Sequence, residues 1–295
     1  MNERTRAFLI DRTRGFVVLI LVTLALPAAR TASAQNGFNF TTTDVPGAVT
    51  TACEGISGAG DIVGAYFDAG GLEHGFFLRN SNFTTIDVPG AMNSAAFGIN
   101  SLGEIVGTFD QDGVTHHGFV LRGASFTTID VPGASSTVLQ GINDADEIVG
   151  TYSSTGAGHG FIRSHGTFTT IDFPGAVSTN LTGISDAGDV VGFYLDASGH
   201  SHGFLRNTKN EFSTIEPAGA LASQARGVNA RGDIVGDFRD AQNVVHAFLF
   251  SKNKFTIVDV PGATITRNRG INAHGDFVGD DDDSSGRTHG FKATE

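Results

Sequence analysis

One nonapeptide, Phe-Thr-Thr-Ile-Asp-Val-Pro-Gly-Ala, dominates this 295-residue chain: it begins at Phe83 and Phe126, with close variants at Phe40, Phe168, Phe212 and Phe255. Successive copies start 43, 43, 42, 44 and 43 residues apart. A fixed period assigns the whole chain before any local reading, because each copy is one supersecondary unit that buries its apolar face on its neighbours. Between copies the order is constant: Gly-Ile-Asn, Gly-Asp/Glu-Ile-Val-Gly and His-Gly-Phe, or close variants. This regularity leaves no stretch for a linker, so residues 35–295 are expected to form one repeat domain.

Each unit divides into four β-prone segments separated by turn signals. In the fourth unit they are residues 181–185, 189–194, 201–206 and 212–215, here called strands a to d. Four antiparallel strands in a meander make a propeller blade. Apolar residues fall on both faces of these segments, as Ile105 beside Val106 does, which is the pattern of sheets covered on both sides. The first anchor, Phe40 to Val45, is a strand d, and the chain stops just after a strand c, His289 to Lys292. The two are complementary pieces of one blade. The expected fold is therefore all-β, a six-bladed β-propeller of four-stranded antiparallel blades, closed by pairing of the N-terminal strand with the C-terminal blade.

The repeat resembles the HAF-family extracellular repeat, named for a His-Ala-Phe motif. That motif stands as His246-Ala247-Phe248, and as His-Gly-Phe at His74, His117, His159, His202 and His289. The resemblance implies a bacterial exported protein with a propeller-like fold, and it carries no activity or catalytic residue that transfers to this chain.

The N-terminus agrees with export. Arg4, Arg6, Arg12 and Arg14 form a basic region, Phe16 to Leu26 an apolar one, and Ala32-Ser33-Ala34 an A-x-A site, together the pattern of a secretory signal. Residues 1–34 are expected to be a signal peptide cleaved after Ala34, leaving a secreted, periplasmic or cell-surface monomer with no membrane span. Their removal takes away five arginines and two acids, Glu3 and Asp11, and moves the net charge from −12 to −15. That sign disfavours nucleic acid as a partner. Cys53 is the sole cysteine, so packing and not an internal disulfide must hold the ring.

Rows of chemistry-bearing residues recur with the repeat. The six motif histidines, His74, His117, His159, His202, His246 and His289, sit on strand c, two strands and roughly 9 Å from the axis. They are too divergent to share an ion, and a structural hydrogen-bonding role is expected; His200 and His202 alone share a strand face. Asp61, Glu104, Glu147, Asp189, Asp233 and Asp276 open strand b and are expected to pair with Arg79, Arg122, Arg163 and Arg206 across the b–c hairpin or to cap the a–b turn. Asp44, Asp87, Asp130, Asp172 and Asp259 precede the Pro-Gly turn and are expected to form Asx turns.

Departures from the repeat point to function, because the fold alone does not demand them. Asp280, Asp281, Asp282 and Asp283 form the clearest one, with Asp280 and Asp281 standing where the fourth unit has Phe193 and Tyr194. Oxygen-rich clusters suit calcium, so these four are the candidate metal site beside the plainer reading of an exposed hairpin; no cofactor is otherwise expected. No nucleophile elbow occurs, and Ser251 to Lys254 matches Ser-x-x-Lys only in a c–d turn. The d–a and b–c connections gather the variable segments (92–94, 111–115, 135–138, 154–158 and 280–287) on one face. The function expected is a non-catalytic binding module for an extracellular glycan or protein. Two alternatives stand beside it: a hydrolase or lyase at the axial funnel, favoured by repeat-breaking His, Asp or Arg converging there, and a calcium-stabilised structural protein.

Overall fold

The computed structural model describes residues 31–295 apart from residue 155; the proposed signal lies outside the described residues up to residue 30. The first complete blade is built from β3 (Thr50–Ile56), β4 (Ile62–Phe67), β5 (Glu73–Arg79) and β6 (Asn82–Ile86), hydrogen-bonded in that order, after an N-terminal pair β1 (Thr31–Gln35) and β2 (Phe38–Thr42). Four more four-stranded sheets repeat the meander, with inner strands at Asn93–Ile99, Ser136–Ile142, Ser178–Ile184 and Ala222–Val228. The described residues contain strands and no helix.

The sixth sheet closes the ring. Its own strands, Ile265–Ile271, Phe277–Asp282 and Thr288–Thr294, are joined on the outer side by β2, with Phe40 opposite Ala293 and Thr42 opposite Phe291. The expected pairing of the two ends is therefore present. β1 adds a fifth, outermost strand to this sheet alone, and Ala34 falls inside it.

The core lies between blades and not within them. Val106 and Val120 of blade two pack with Leu139, Ile148 and Phe161 of blade three, and Val278 of blade six packs with Cys53, Ile62 and Phe76 of blade one. The motif phenylalanines Phe76, Phe119, Phe161, Phe204, Phe248 and Phe291 are all fully buried, each contributing on the order of 2–3 kcal/mol of apolar transfer. Cys53 is one of the small buried residues of this packing.

Two details of the repeat have direct structural causes. The glycine of Gly-Ile-Asn lets neighbouring inner strands touch: a Cβ on Gly270 would stand 2.8 Å from the Glu54 carbonyl oxygen, and one on Gly55 2.7 Å from that of Phe97. The Pro-Gly pair forms the expected tight turn, with Gly47 at φ +85° and Ala48 N–H donating to the Val45 carbonyl at 3.1 Å.

The aspartates before that turn do something other than expected. Asp130 is not an Asx-turn former: its Oδ2 lies 2.8 Å from His117 Nδ1, and its Oδ1 accepts from the Gly118 N–H at 3.1 Å. Asp87, Asp172, Asp259 and Asp44 hold His74, His159, His246 and His289 in the same way, at 2.7–2.9 Å. The fourth unit, which lacks the aspartate, uses Glu216 on His202 at 2.7 Å. The turn N–H is satisfied instead by a hydroxyl six residues later, as Val45 N–H is by Thr51 Oγ1 at 3.1 Å. Thus the six histidines tie strand d to strand c within single blades.

The acidic row opening strand b forms only part of the expected ladder. Arg79 meets Asp61 at 2.6 Å and Arg122 meets Glu104 at 2.5 Å. Arg163 lies over the Phe168 ring and Arg206 bonds Asn210, while Glu147 accepts from Asn143 Nδ2 at 2.9 Å.

Candidate functional site: the axial channel

Every inner strand breaks its pairing register at the same place, between Cys53 and Gly55, Ala96 and Gly98, Leu139 and Gly141, Leu181 and Gly183, Ala225 and Gly227, and Asn268 and Gly270. A β-bulge leaves one residue unpaired and re-aims its side chain. The six bulged residues are Glu54, Phe97, Gln140, Thr182, Arg226 and Arg269, all half-buried, and together they line one cavity of ≈ 250 Å³ on the axis. The fold thus offers six equivalent positions, and the sequence fills them with five different chemistries.

Two residues earlier on each inner strand stands a second ring, each member opposite a residue of strand b. In blades one to three the pairs are small or apolar: Ala52 with Ala65, Ala95 with Thr108, Val138 with Thr151. In blades five and six they are Gln224 with Asp237 and Arg267 with Asp280. The channel therefore has one ion-paired wall and one weakly polar wall carrying Phe97.

The ion-paired wall is continuous. Arg226 Nε donates to Asp237 Oδ1 at 3.0 Å, Arg267 Nη1 to Asp280 Oδ2 at 2.7 Å and Arg269 Nε to Asp280 Oδ1 at 2.8 Å. Arg269 Nη1 also lies 3.8 Å from Glu54 Oε2, across the junction of blades six and one. Burial opposes the charge on Arg269, but Asp280, Glu54 and Asp237 outweigh it and raise its pKa. Burial likewise opposes ionisation of Asp280, and Arg269 and Arg267 reverse that effect and lower its pKa. At Glu54 burial prevails over the pull of Arg269, and the carboxyl is raised.

At this junction the channel widens into a second cavity of ≈ 240 Å³, lined among others by Glu54, Phe67, Arg267, Arg269, Asp282 and Thr288. Its border includes the first residue of inner strand β3 (Thr50) and the two ends of a b–c hairpin (Phe67 and Glu73), so the mouth opens on the face expected to carry binding. Around that face the residue following the Gly-Ala of this turn is an exposed apolar one in four blades: Val49, Met92, Val177 and Leu221. At the opposite end a girdle of buried asparagines ties blade to blade, with Asn272 Nδ2 donating to the Ser57 carbonyl at 3.2 Å.

The four consecutive aspartates do not converge. Asp280 faces the axis and its two arginines. Asp281 points the other way, occupying the cross-strand position beside His289 that Tyr66 occupies beside His74. Asp282 accepts from Thr288 Oγ1 at 2.8 Å, and Asp283 caps the b–c turn through the Arg287 N–H at 3.1 Å. Strand alternation disperses what looked in sequence like a calcium cluster. Among the described residues no group of three or more His, Cys, Asp or Glu is gathered to hold a metal ion. His202 is engaged by Glu216 and Asp196, and His200 lies 3.7 Å from Asp196.

Sequence reasoning missed the bulge ring. A signal was present: the residue before Gly in each Gly-Ile-Asn segment, and the one two positions before it, change chemistry from unit to unit while the Gly that follows is invariant.

No family model and no curated protein matches the chain. Solved structures do. A variant of the Aleuria aurantia lectin in complex with Fucα1-6GlcNAc is 12% identical, with 82% of this chain and 91% of that one covered and a TM-score of 0.51. A variant of AofleA from Arthrobotrys oligospora is 10% identical, with 86% and 85% covered and a TM-score of 0.56. The likeness establishes the six-bladed β-propeller fold.

Proposed function

We propose that this protein is an exported, non-catalytic glycan-binding module whose site is the axial channel where blades six and one meet. The observation that carries the reading is the bulge ring, which presents Phe97, Glu54, Gln140, Thr182, Arg226 and Arg269 to one cavity on a rigid scaffold. Sugars need an apolar platform for their C–H faces and paired donors and acceptors for their hydroxyls, and binding pockets combine such walls. The lectins of the same fold, one of them solved with a fucosylated disaccharide, lend support, as does the resemblance to exported HAF-family repeats. A monomer released by cleavage near Ala34 completes the proposal.

Immobilised polysaccharides and oligosaccharide arrays test it. Wild-type protein should be retained by at least one saccharide, and Phe97→Ala with Arg269→Ala should weaken retention at least tenfold. Undiminished retention of the double variant would move the site elsewhere.

A hydrolase or lyase reading is supported by one feature: repeat-breaking Arg226, Arg267, Arg269, Asp237, Asp280 and Glu54 converge on the axis, with the Glu54 carboxyl raised. Release of new reducing ends from a bound polysaccharide, abolished by Glu54→Gln, would favour it over simple binding.

A further inference from the structure

The charge balance of the channel wall narrows the class of sugar, on the reading that the channel binds one. Three guanidinium groups reach the axis, and none is free. Arg226 is held by Asp237; Arg267 by Asp280 at 2.7 Å and Asp282 at 3.6 Å; Arg269 by Asp280 at 2.8 Å and Glu54 at 3.8 Å. Four carboxylates therefore face three cations, and Glu73 adds a fifth acid to the cavity border.

An anionic ligand would have to displace one of these carboxylates or approach it unpaired. Either route leaves a desolvated charge without a partner, which opposes binding. A hydroxyl meets no such obstacle. Each guanidinium has five N–H donors, more than the bonds above consume, and the carboxylate oxygens accept from O–H groups in return. Vicinal hydroxyls on a ring, each donor and acceptor at once, match a wall of alternating guanidinium and carboxylate. Phe97 on the facing wall suits the apolar side of that ring.

We propose that the junction of blades six and one selects neutral sugars and excludes uronic, sialylated and sulfated ones, and that Glu54 and Asp280 set this choice by neutralising Arg267 and Arg269.

The test is calorimetry or array binding at neutral pH with matched pairs, a neutral oligosaccharide against its uronate or sulfated counterpart. The neutral member should bind at least tenfold more tightly to the wild type. Tighter binding of the acidic member would overturn the selectivity while leaving the glycan-binding reading intact. Binding of neither class would overturn both.

Asp280→Asn removes the nearer carboxylate from both Arg267 and Arg269 and should improve the acidic-to-neutral affinity ratio at least tenfold. Glu54→Gln, at a half-buried position that burdens the fold less, should shift the ratio in the same direction by a smaller factor. Circular dichroism confirms that each variant is folded, and an unchanged ratio in folded Glu54→Gln protein would refute the assignment.

Discussion

His289 Nδ1 lies 2.7 Å from Asp44 Oδ2 although 245 residues separate them, so one imidazole–carboxylate contact fastens the last strand of the chain to the first turn of the ring. Its Nε2 lies 3.4 Å from Asp283, and Arg287 stands 3.9 Å from Asp44. Burial opposes protonation of His289, but Asp44, Asp283 and Asp281 outweigh it and raise the pKa. His74, His202 and His246 are raised for the same reasons by their own acids. Asp281, where other blades put an aromatic ring on the histidine, is pushed up to about 7 by burial.

These shifts give a pH dependence of one sign near neutrality. A histidine raised above its unfolded value of about 6.5 binds its proton more tightly when folded, so its stabilisation is complete below that value and is lost as pH rises through the folded one. The Asp281 carboxyl, raised to about 7, adds a penalty that grows from its unfolded value of about 3.9 and is complete near 7, because the unfolded chain ionises first, so its upper part falls between pH 6 and 7. The thermal midpoint is expected to be higher at pH 6 than at pH 8, and Asp281→Asn should recover part of the loss at pH 8 while changing little at pH 4. A flat profile between pH 6 and 8 would contradict the clasp. Below about pH 4 stability should fall again, because Asp280 and the turn-capping Asp68, Asp196, Asp240 and Asp283 all have lowered pKa values.

Removal of the closing phenylalanine should be more damaging than removal of its repeat equivalents. Phe40 is 2% exposed and packs against Phe291 at 5.6 Å and Phe277 at 6.5 Å, whereas Phe126 remains half-buried. Phe40→Ala is expected to cost about 3–5 kcal/mol and Phe126→Ala less, measured by denaturant unfolding. Equal losses would mean that closure contributes nothing beyond an ordinary blade.

Gly270→Ala places a methyl group 2.8 Å from the Glu54 carbonyl oxygen, backbone that has no room to yield. Strain of about 1–3 kcal/mol is expected. An alanine at half-buried Gly58, where the nearest atom is a serine hydroxyl at 3.5 Å, should be close to neutral. The two variants separate a crowding effect from a general effect of replacing glycine.

Asn272→Ala removes the bond from Nδ2 to the Ser57 carbonyl and also the Oδ1 that accepts from the Asp276 N–H at 3.0 Å. A loss of about 1–3 kcal/mol is expected from leaving the Asp276 N–H without this partner and the Ser57 carbonyl with the Gly60 N–H alone. Slower amide exchange at the blade six to one seam in the wild type than in the variant would locate the effect at that seam.

Most of the architecture was legible because the repeat states it six times: the Pro-Gly turns, the His-Gly-Phe strand and the complementary ends all stand where period and turn chemistry put them. The side-chain pairings were less legible. Asp130 and His117 are 13 residues apart and meet only because strands c and d lie side by side, a relation that local turn statistics do not contain. Asp280 to Asp283 misled for the opposite reason: adjacency in a strand sends neighbours to opposite faces, so contiguous acids separate. The bulge at Glu54 and its equivalents escaped because these strands are covered on both faces, so the phase shift that an extra residue causes does not stand out in the pattern of apolar residues.

That bulge has an evolutionary consequence. Residues flanking it are committed to holding one blade against the next, but the protruding Phe97 and Gln140 carry no such bond among the described residues, whereas Thr182 donates to the Ala225 carbonyl of the next blade at 2.7 Å and Arg226, Arg269 and Glu54 stand in ion pairs. A lineage built on this scaffold can change what it captures at the first two positions without loosening the shell, and mutational scanning should find tolerance at Gln140 beside intolerance at Gly141, a single peptide bond away.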